Sequence, residues 1–160
     1  MASSEKNLSD VKINQSQDIS KNKFGIVVAE WNEQVTESLY SGACQTLINA
    51  GATRDNIQRL NVPGTFELSL GGQWMAERKD IDAVICLGCV IQGETRHFDF
   101  ICDAVANGIT NVNLKYNKPI IFGVLTTDNM KQALDRAGGK HGNKGDEAAA
   151  TAIKMLDAKL

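Results

Sequence analysis

Apolar positions fall into a few short, continuous runs, separated by longer stretches in which they recur every third or fourth residue. Phe24-Gly25-Ile26-Val27-Val28-Ala29 is short and β-branched and predicts a strand. From Asn32 to Asn49, Val35, Leu39, Ala43 and Leu47 recur at helical spacing, with Gly51 as the stop. Ile57 to Val62 alternates at period two and ends at Pro63-Gly64, after which Phe66 to Glu77 predicts a second helix.

Ala83 to Ile91 is apolar throughout, as a strand covered on both faces requires, and it stops at Gln92-Gly93-Glu94-Thr95. The next helix sets Phe98, Ile101, Cys102, Val105 and Ile109 on one stripe that should be buried. Pro119 to Leu125 predicts a fourth strand, and Thr127-Asp128 offers N-cap chemistry for a helix through Met130, Ala133 and Leu134. Gly138 to Gly145 breaks that helix, and an Ala-rich one resumes from Asp146 to Lys159. Four strand-helix units with continuously apolar strands predict a three-layer α/β/α domain around a four-stranded parallel sheet, spanning residues 22–160. Residues 1–21 are Ser/Asn/Lys/Asp-rich, with isolated Leu8, Val11, Ile13 and Ile19, and predict a flexible polar arm.

Composition narrows the function classes. A length of 160 residues fits one domain, and a net charge of −2 gives no basic field to attract nucleic acid or an anionic membrane. No apolar run approaches the roughly 20 residues of a membrane span, and a signal-peptide core is missing, so a cytoplasmic protein is expected. Cys86 and Cys89 form a C-x-x-C pair inside the apolar third strand, where an i, i+3 pair points to opposite faces. Small buried hydrophobes are expected there rather than a metal or redox site. Gly142-Asn143-Lys144-Gly145 lacks the spacing of a nucleotide-triphosphate loop.

Ligands of an open parallel sheet bind at the carboxyl ends of its strands. The loops there carry Glu30-Trp31-Asn32, Pro63 to Glu67, Gln92 to His97 and Thr126-Thr127-Asp128. Trp31 can stack on a planar heterocycle, Glu67 can accept from ligand hydroxyls, and the backbone around Gly93-Glu94-Thr95 can cradle a phosphate at a helix start. His97 lies a few residues on, and its imidazole suits proton transfer. Each has a structural alternative: Trp31 as packing, Glu67 as a helix-dipole partner, His97 as a hydrogen-bonded helix residue, and the Arg136, Lys140, His141 and Lys144 cluster as a solvated loop.

Four motifs in order, FGIVVAEWN, VPGTFEL, LGCVIQGETRHFDF and IIFGVLTT followed by RAGGKHGNKG, resemble those of the lumazine synthase family from Phe24 to the C-terminus. The resemblance implies a flavodoxin-like fold, possible extension of the sheet by a neighbour's N-terminal strand being left open. It also implies condensation of 5-amino-6-(D-ribitylamino)uracil with 3,4-dihydroxy-2-butanone 4-phosphate, with neither metal nor cofactor. Trp31, Thr65, Phe66, Glu67, Cys89, Val90 and Ile91 match the residues around the pyrimidine and its ribityl chain. Glu94 and Thr95 match the phosphate-binding turn, and His97 the general acid/base. Phe122 and Arg136 match residues given by the neighbouring subunit, to the ring and to the phosphate; Glu147 matches the acid that pairs with that arginine, and Lys144 a residue reaching the heterocycle.

The resemblance further implies pentamers with interface sites. The compact break before the last helix is similar to that of members forming shells of twelve pentamers, and association with riboflavin synthase is left open. Two other readings are an inactive flavin- or lumazine-binding protein and a purely structural cage subunit. Intact His97, Thr95 and Arg136 argue against the first, Trp31 and Glu67 against the second.

Overall fold

The computed structural model describes residues 7–13 and 18–158. Strands β1 (Phe24–Ala29), β2 (Ile57–Val62), β3 (Ala83–Ile91) and β4 (Ile120–Thr127) form a sheet in the order β2-β1-β3-β4, every pair parallel. Helices α1 (Glu33–Asn49) and α5 (Lys144–Asp157) cover one face, and α2 (Leu68–Glu77) and α3 (His97–Tyr116) the other. A short α4 (Met130–Leu134) and an antiparallel hairpin, β5 (Ala137–Gly139) with β6 (Gly142–Asn143), lie between β4 and α5. This is the three-layer arrangement that the strand runs predict and the flavodoxin-like fold that the resemblance implies.

Burial on both faces explains why the central strands are apolar without a break. Phe24, Ile26 and Val28 of β1 and Ile85 and Leu87 of β3 pack with Val35, Leu39 and Leu47 of α1 and Ala149 and Ile153 of α5. Val27, Ala29, Val84 and Cys86 project the other way onto Leu68, Met75, Val105 and Ile109. Each large side chain so buried contributes roughly 1.5–3 kcal/mol. Cys86 and Cys89 fall into opposite cores, as their spacing on a strand requires.

Several boundaries differ from those the pattern predicts. The helix expected from Phe66 begins at Leu68, because Thr65 to Glu67 forms a turn with Glu67 N–H donating to Gly64 O at 3.2 Å. Thr127 is still strand, with Gln92 N–H donating to its carbonyl at 2.8 Å, so Asn129 rather than Thr127 or Asp128 caps α4, its side chain accepting from Gln132 N–H at 3.0 Å. The buried stripe of α3 runs through Val105, Ile109 and Val112, while Phe98, Ile101 and Cys102, in its first turns beside the cleft, are only half-buried. The glycine-rich break is a folded hairpin. Within the segment expected as an arm, Leu8 and Ile19 are buried, Ile19 in the α1/α5 core.

Candidate active site

The winding of the sheet reverses between β1 and β3, which opens a crevice at their carboxyl ends. A cleft of about 600 Å³ occupies it, lined by Trp31, Asn32, Gly64, Thr65, Phe66, Glu67, Cys89, Val90, Ile91, His97 and Ile101. Eight of the sequence-predicted residues therefore meet in one place. Trp31, after β1, is 73% exposed and Phe66, after β2, is 54% exposed, so two aromatic faces stand open rather than packed. Glu67 and His97 are exposed as well.

The floor is held by hydrogen bonds to one carbonyl. Asn32 adopts a left-handed backbone conformation (φ 63°, ψ 45°), which directs its side-chain amide to donate to Cys89 O at 2.9 Å. The buried Thr65 hydroxyl donates to the same oxygen at 3.4 Å. Gly88 permits this approach: a Cβ there would lie 2.8 Å from Thr65 Oγ1 and from Leu68 Cδ1. Burial pushes the Cys89 thiol up to about 11, opposed by the neighbouring Thr127 hydroxyl, and burial pushes the Cys86 thiol up to about 12. Both are poor nucleophiles near neutrality, so Cys89 serves the cleft as shape and backbone.

Glu94 and Thr95 lie in the exposed loop that leads into α3. Gln92 Nε2 donates to Gly93 O at 2.8 Å and to Thr95 O at 3.4 Å, which folds the loop back on itself, and His97 N–H donates to Thr95 Oγ1 at 3.4 Å. Arg96, at the N-cap, makes no side-chain cap. The amino end of α3 thus presents polar groups to the rim of the cleft.

Phe122, Lys144 and Glu147 do not reach this cleft. They line a separate groove along the edge strand β4 and α5, together with Ile120, Ile121 and Ala148. Arg136 sits at the base of the β5–β6 hairpin, its Nη1 donating to Gln132 O at 3.1 Å. The expected Arg136–Glu147 ion pair is absent among the described residues: Glu147 Oε1 is held by Lys144 Nζ at 3.0 Å instead. Once α5 begins at Lys144, these two are i and i+3 on one helical turn, and the shorter reach wins. Asn32 and Ile101 were not singled out as site residues by sequence. Ile101 was legible as the i+4 neighbour of His97; the role of Asn32 depends on a backbone angle that composition does not disclose.

These features define a flavodoxin-like α/β protein with a ligand cleft at the topological switch of its sheet. Comparison with known proteins agrees with that class and narrows it. The family model described as 6,7-dimethyl-8-ribityllumazine synthase matches residues 21–159. Proteins named 6,7-dimethyl-8-ribityllumazine synthase are similar along the chain: that of Cytophaga hutchinsonii is 69% identical, covering 98% of each chain, and that of Parabacteroides distasonis 55% identical, again covering 98% of each. The Flavobacterium johnsoniae protein is 52% identical over 97% of this chain and 82% of its own. The chain belongs to the 6,7-dimethyl-8-ribityllumazine synthase family.

Proposed function

We propose that this chain is an enzyme of riboflavin biosynthesis, a transferase that condenses 5-amino-6-(D-ribitylamino)uracil with 3,4-dihydroxy-2-butanone 4-phosphate. The products are 6,7-dimethyl-8-ribityllumazine, phosphate and two waters. Trp31 stacks on the pyrimidine, the backbone of Cys89, Val90 and Ile91 flanks the ring, and Thr65, Phe66 and Glu67 line the ribityl chain. The Glu94-Thr95 turn at the start of α3 receives the phosphate through backbone N–H groups and the threonine hydroxyl. His97 takes the carbon-bound proton during phosphate elimination and returns it from its imidazolium form. Holding two small reactants in register contributes roughly 7–11 kcal/mol in well-oriented systems, so the histidine supplies only part of the acceleration.

The observation that carries the reading is the division of the residue set. Trp31, Glu67 and His97 share a cleft at one end of the sheet, whereas Phe122, Lys144 and Glu147 open outward beside the edge strand. A neighbouring copy that presents its β4 edge and hairpin would supply Phe122 over the ring and Arg136 to the phosphate, with Lys144 near the heterocycle. Arginine suits that role through its planar fork of donors. The assembly is a homopentamer with sites at its interfaces, and twelve pentamers close a sixty-subunit shell. No helix among the described residues is long and apolar enough to cross a membrane. The cytoplasm is the proposed location, two small molecules are the substrates, riboflavin synthase is a candidate companion, and neither nucleic acid nor membrane has a part.

Lumazine absorbance, followed on mixing both substrates with the protein, tests the reaction, and no product would refute it. Co-refolding His97→Ala with Arg136→Ala chains tests the shared site. Random assembly joins an intact His97 to a neighbour's intact Arg136 at about a quarter of interfaces, restoring activity in proportion. A mixture no better than the two variants measured apart would refute the interface reading.

A further inference from the structure

The described N-terminal residues lie across the β5–β6 hairpin. Leu8 is 4% exposed, and its N–H donates to His141 O at 2.8 Å. Asn143 N–H in turn donates to the Ser9 hydroxyl at 2.9 Å, and Asn7 Oδ1 accepts from Ser9 N–H at 2.9 Å, folding the segment into a short turn. Gly142 lies directly beneath, at φ 79°. A Cβ there would come within 2.7 Å of Ser9 N and 2.9 Å of Leu8 N, so the hairpin and the segment fit only because that position is bare.

The hairpin carries Arg136, the cation proposed for the phosphate, at one foot and Lys144 at the other. Arg136 precedes β5 and Lys144 follows β6, and the feet are tied, Lys144 N–H donating to Arg136 O at 2.9 Å. Asn143 links this pair to α1 and α5, its Nδ2 donating to Ser38 O at 2.9 Å and its Oδ1 accepting from Gly145 N–H at 2.8 Å. The inner side of the hairpin is thus anchored on helices, while Asn7, Leu8 and Ser9 grip its outer side. Two glycine-rich strands of three and two residues are too short to hold their own shape.

We propose that Asn7-Leu8-Ser9 is a strap that fixes the β5–β6 hairpin and thereby positions Arg136 for the phosphate-bearing substrate. The inference rests on the proposed reaction for its ligand, but not for its geometry. Leu8 and Ser9 are positioning residues: they act through the hairpin and touch no reactant.

The test uses full-length Leu8→Asp, Leu8→Met and Ser9→Ala. Each is assayed by steady-state kinetics with either substrate varied, and by amide hydrogen exchange. Leu8→Asp is expected to raise KM for the phosphate substrate about tenfold, with kcat and KM for the pyrimidine within about twofold, the signature of lost substrate binding at one subsite. Exchange of the Asn143 and Lys144 amides should quicken while β1 and β3 amides stay protected. Leu8→Met should restore wild-type behaviour, and Ser9→Ala, which leaves Leu8 in place, should move the same KM in the same direction by about threefold, as the loss of one hydrogen bond suggests. Unchanged phosphate KM in both Leu8→Asp and Ser9→Ala, or an equal rise in both KM values, would overturn the strap. If the wild-type chain forms no lumazine, the reaction fails instead. The strap is then decided by the same exchange and by affinity for inorganic phosphate, which Leu8→Asp must weaken if the proposal holds.

Discussion

Asn32 combines two stabilising features that can be taken apart by substitution. Its left-handed backbone conformation is costly for most residues, and its side-chain amide bridges from the end of β1 to the Cys89 carbonyl of β3 at 2.9 Å. In Asn32→Ala the hydrogen bond is lost, at about 0.5–1.5 kcal/mol, and a Cβ-bearing residue without local hydrogen bonding must hold the left-handed region, at about 1–2 kcal/mol. The sum is about 1.5–3.5 kcal/mol. Asn32→Gly loses the same bond but sits in that region freely, so it should cost only about 1 kcal/mol. Urea melts read the difference as a shift of midpoint at constant slope. Both variants should loosen the crevice and lower kcat/KM for the pyrimidine substrate, since both free the Cys89 carbonyl. Equal destabilisation by alanine and glycine would refute the backbone argument. A cost below about 0.5 kcal/mol for alanine would refute both halves.

His97→Ala should lower kcat by about 10²-fold in the absorbance assay, the usual scale for a general acid/base, and a loss under about threefold would remove it from the mechanism. Arg136→Ala should raise KM for the phosphate substrate and leave KM for the pyrimidine close to wild type, which initial rates with each substrate varied would check. Cys86 and Cys89 keep their protons in the folded chain up to about pH 12 and 11, whereas an unfolded thiol ionises near 9.0. The stability they contribute is therefore full below about pH 9 and declines as pH rises toward those higher values. Urea melts from pH 7 to 10.5 should fall less steeply for Cys86→Ala than for wild type. Sedimentation should show a species far heavier than a pentamer of this 17.3 kDa chain, and a pentamer alone would exclude the shell.

The fold was legible where burial is two-sided. Strands β1 and β3 are apolar at every position because helices cover both faces, and no other element produces such short unbroken runs. The cleft was legible through topology, since the carboxyl ends of parallel strands converge whatever the loops contain. Features that depend on a few hydrogen bonds were hidden. The β5–β6 hairpin has no hydrophobic period, being mostly glycine, and it forms against Ser38 and Ser9 rather than from propensity of its own. Leu8 and Ile19 read as isolated apolar residues in a polar stretch, because their partners lie more than fifty residues away in sequence or in another element. The partial exposure of the first turns of α3 was hidden too, since a periodic stripe tells which side of a helix is apolar but not how far it is covered.

The Cys89 carbonyl has both lone pairs engaged, one by the Asn32 amide and one by the Thr65 hydroxyl. A molecule entering at that depth finds this carbonyl already taken as an acceptor. A donor on the guest is turned away from that one oxygen, and Thr65→Val would release a lone pair there and admit guests able to donate to it.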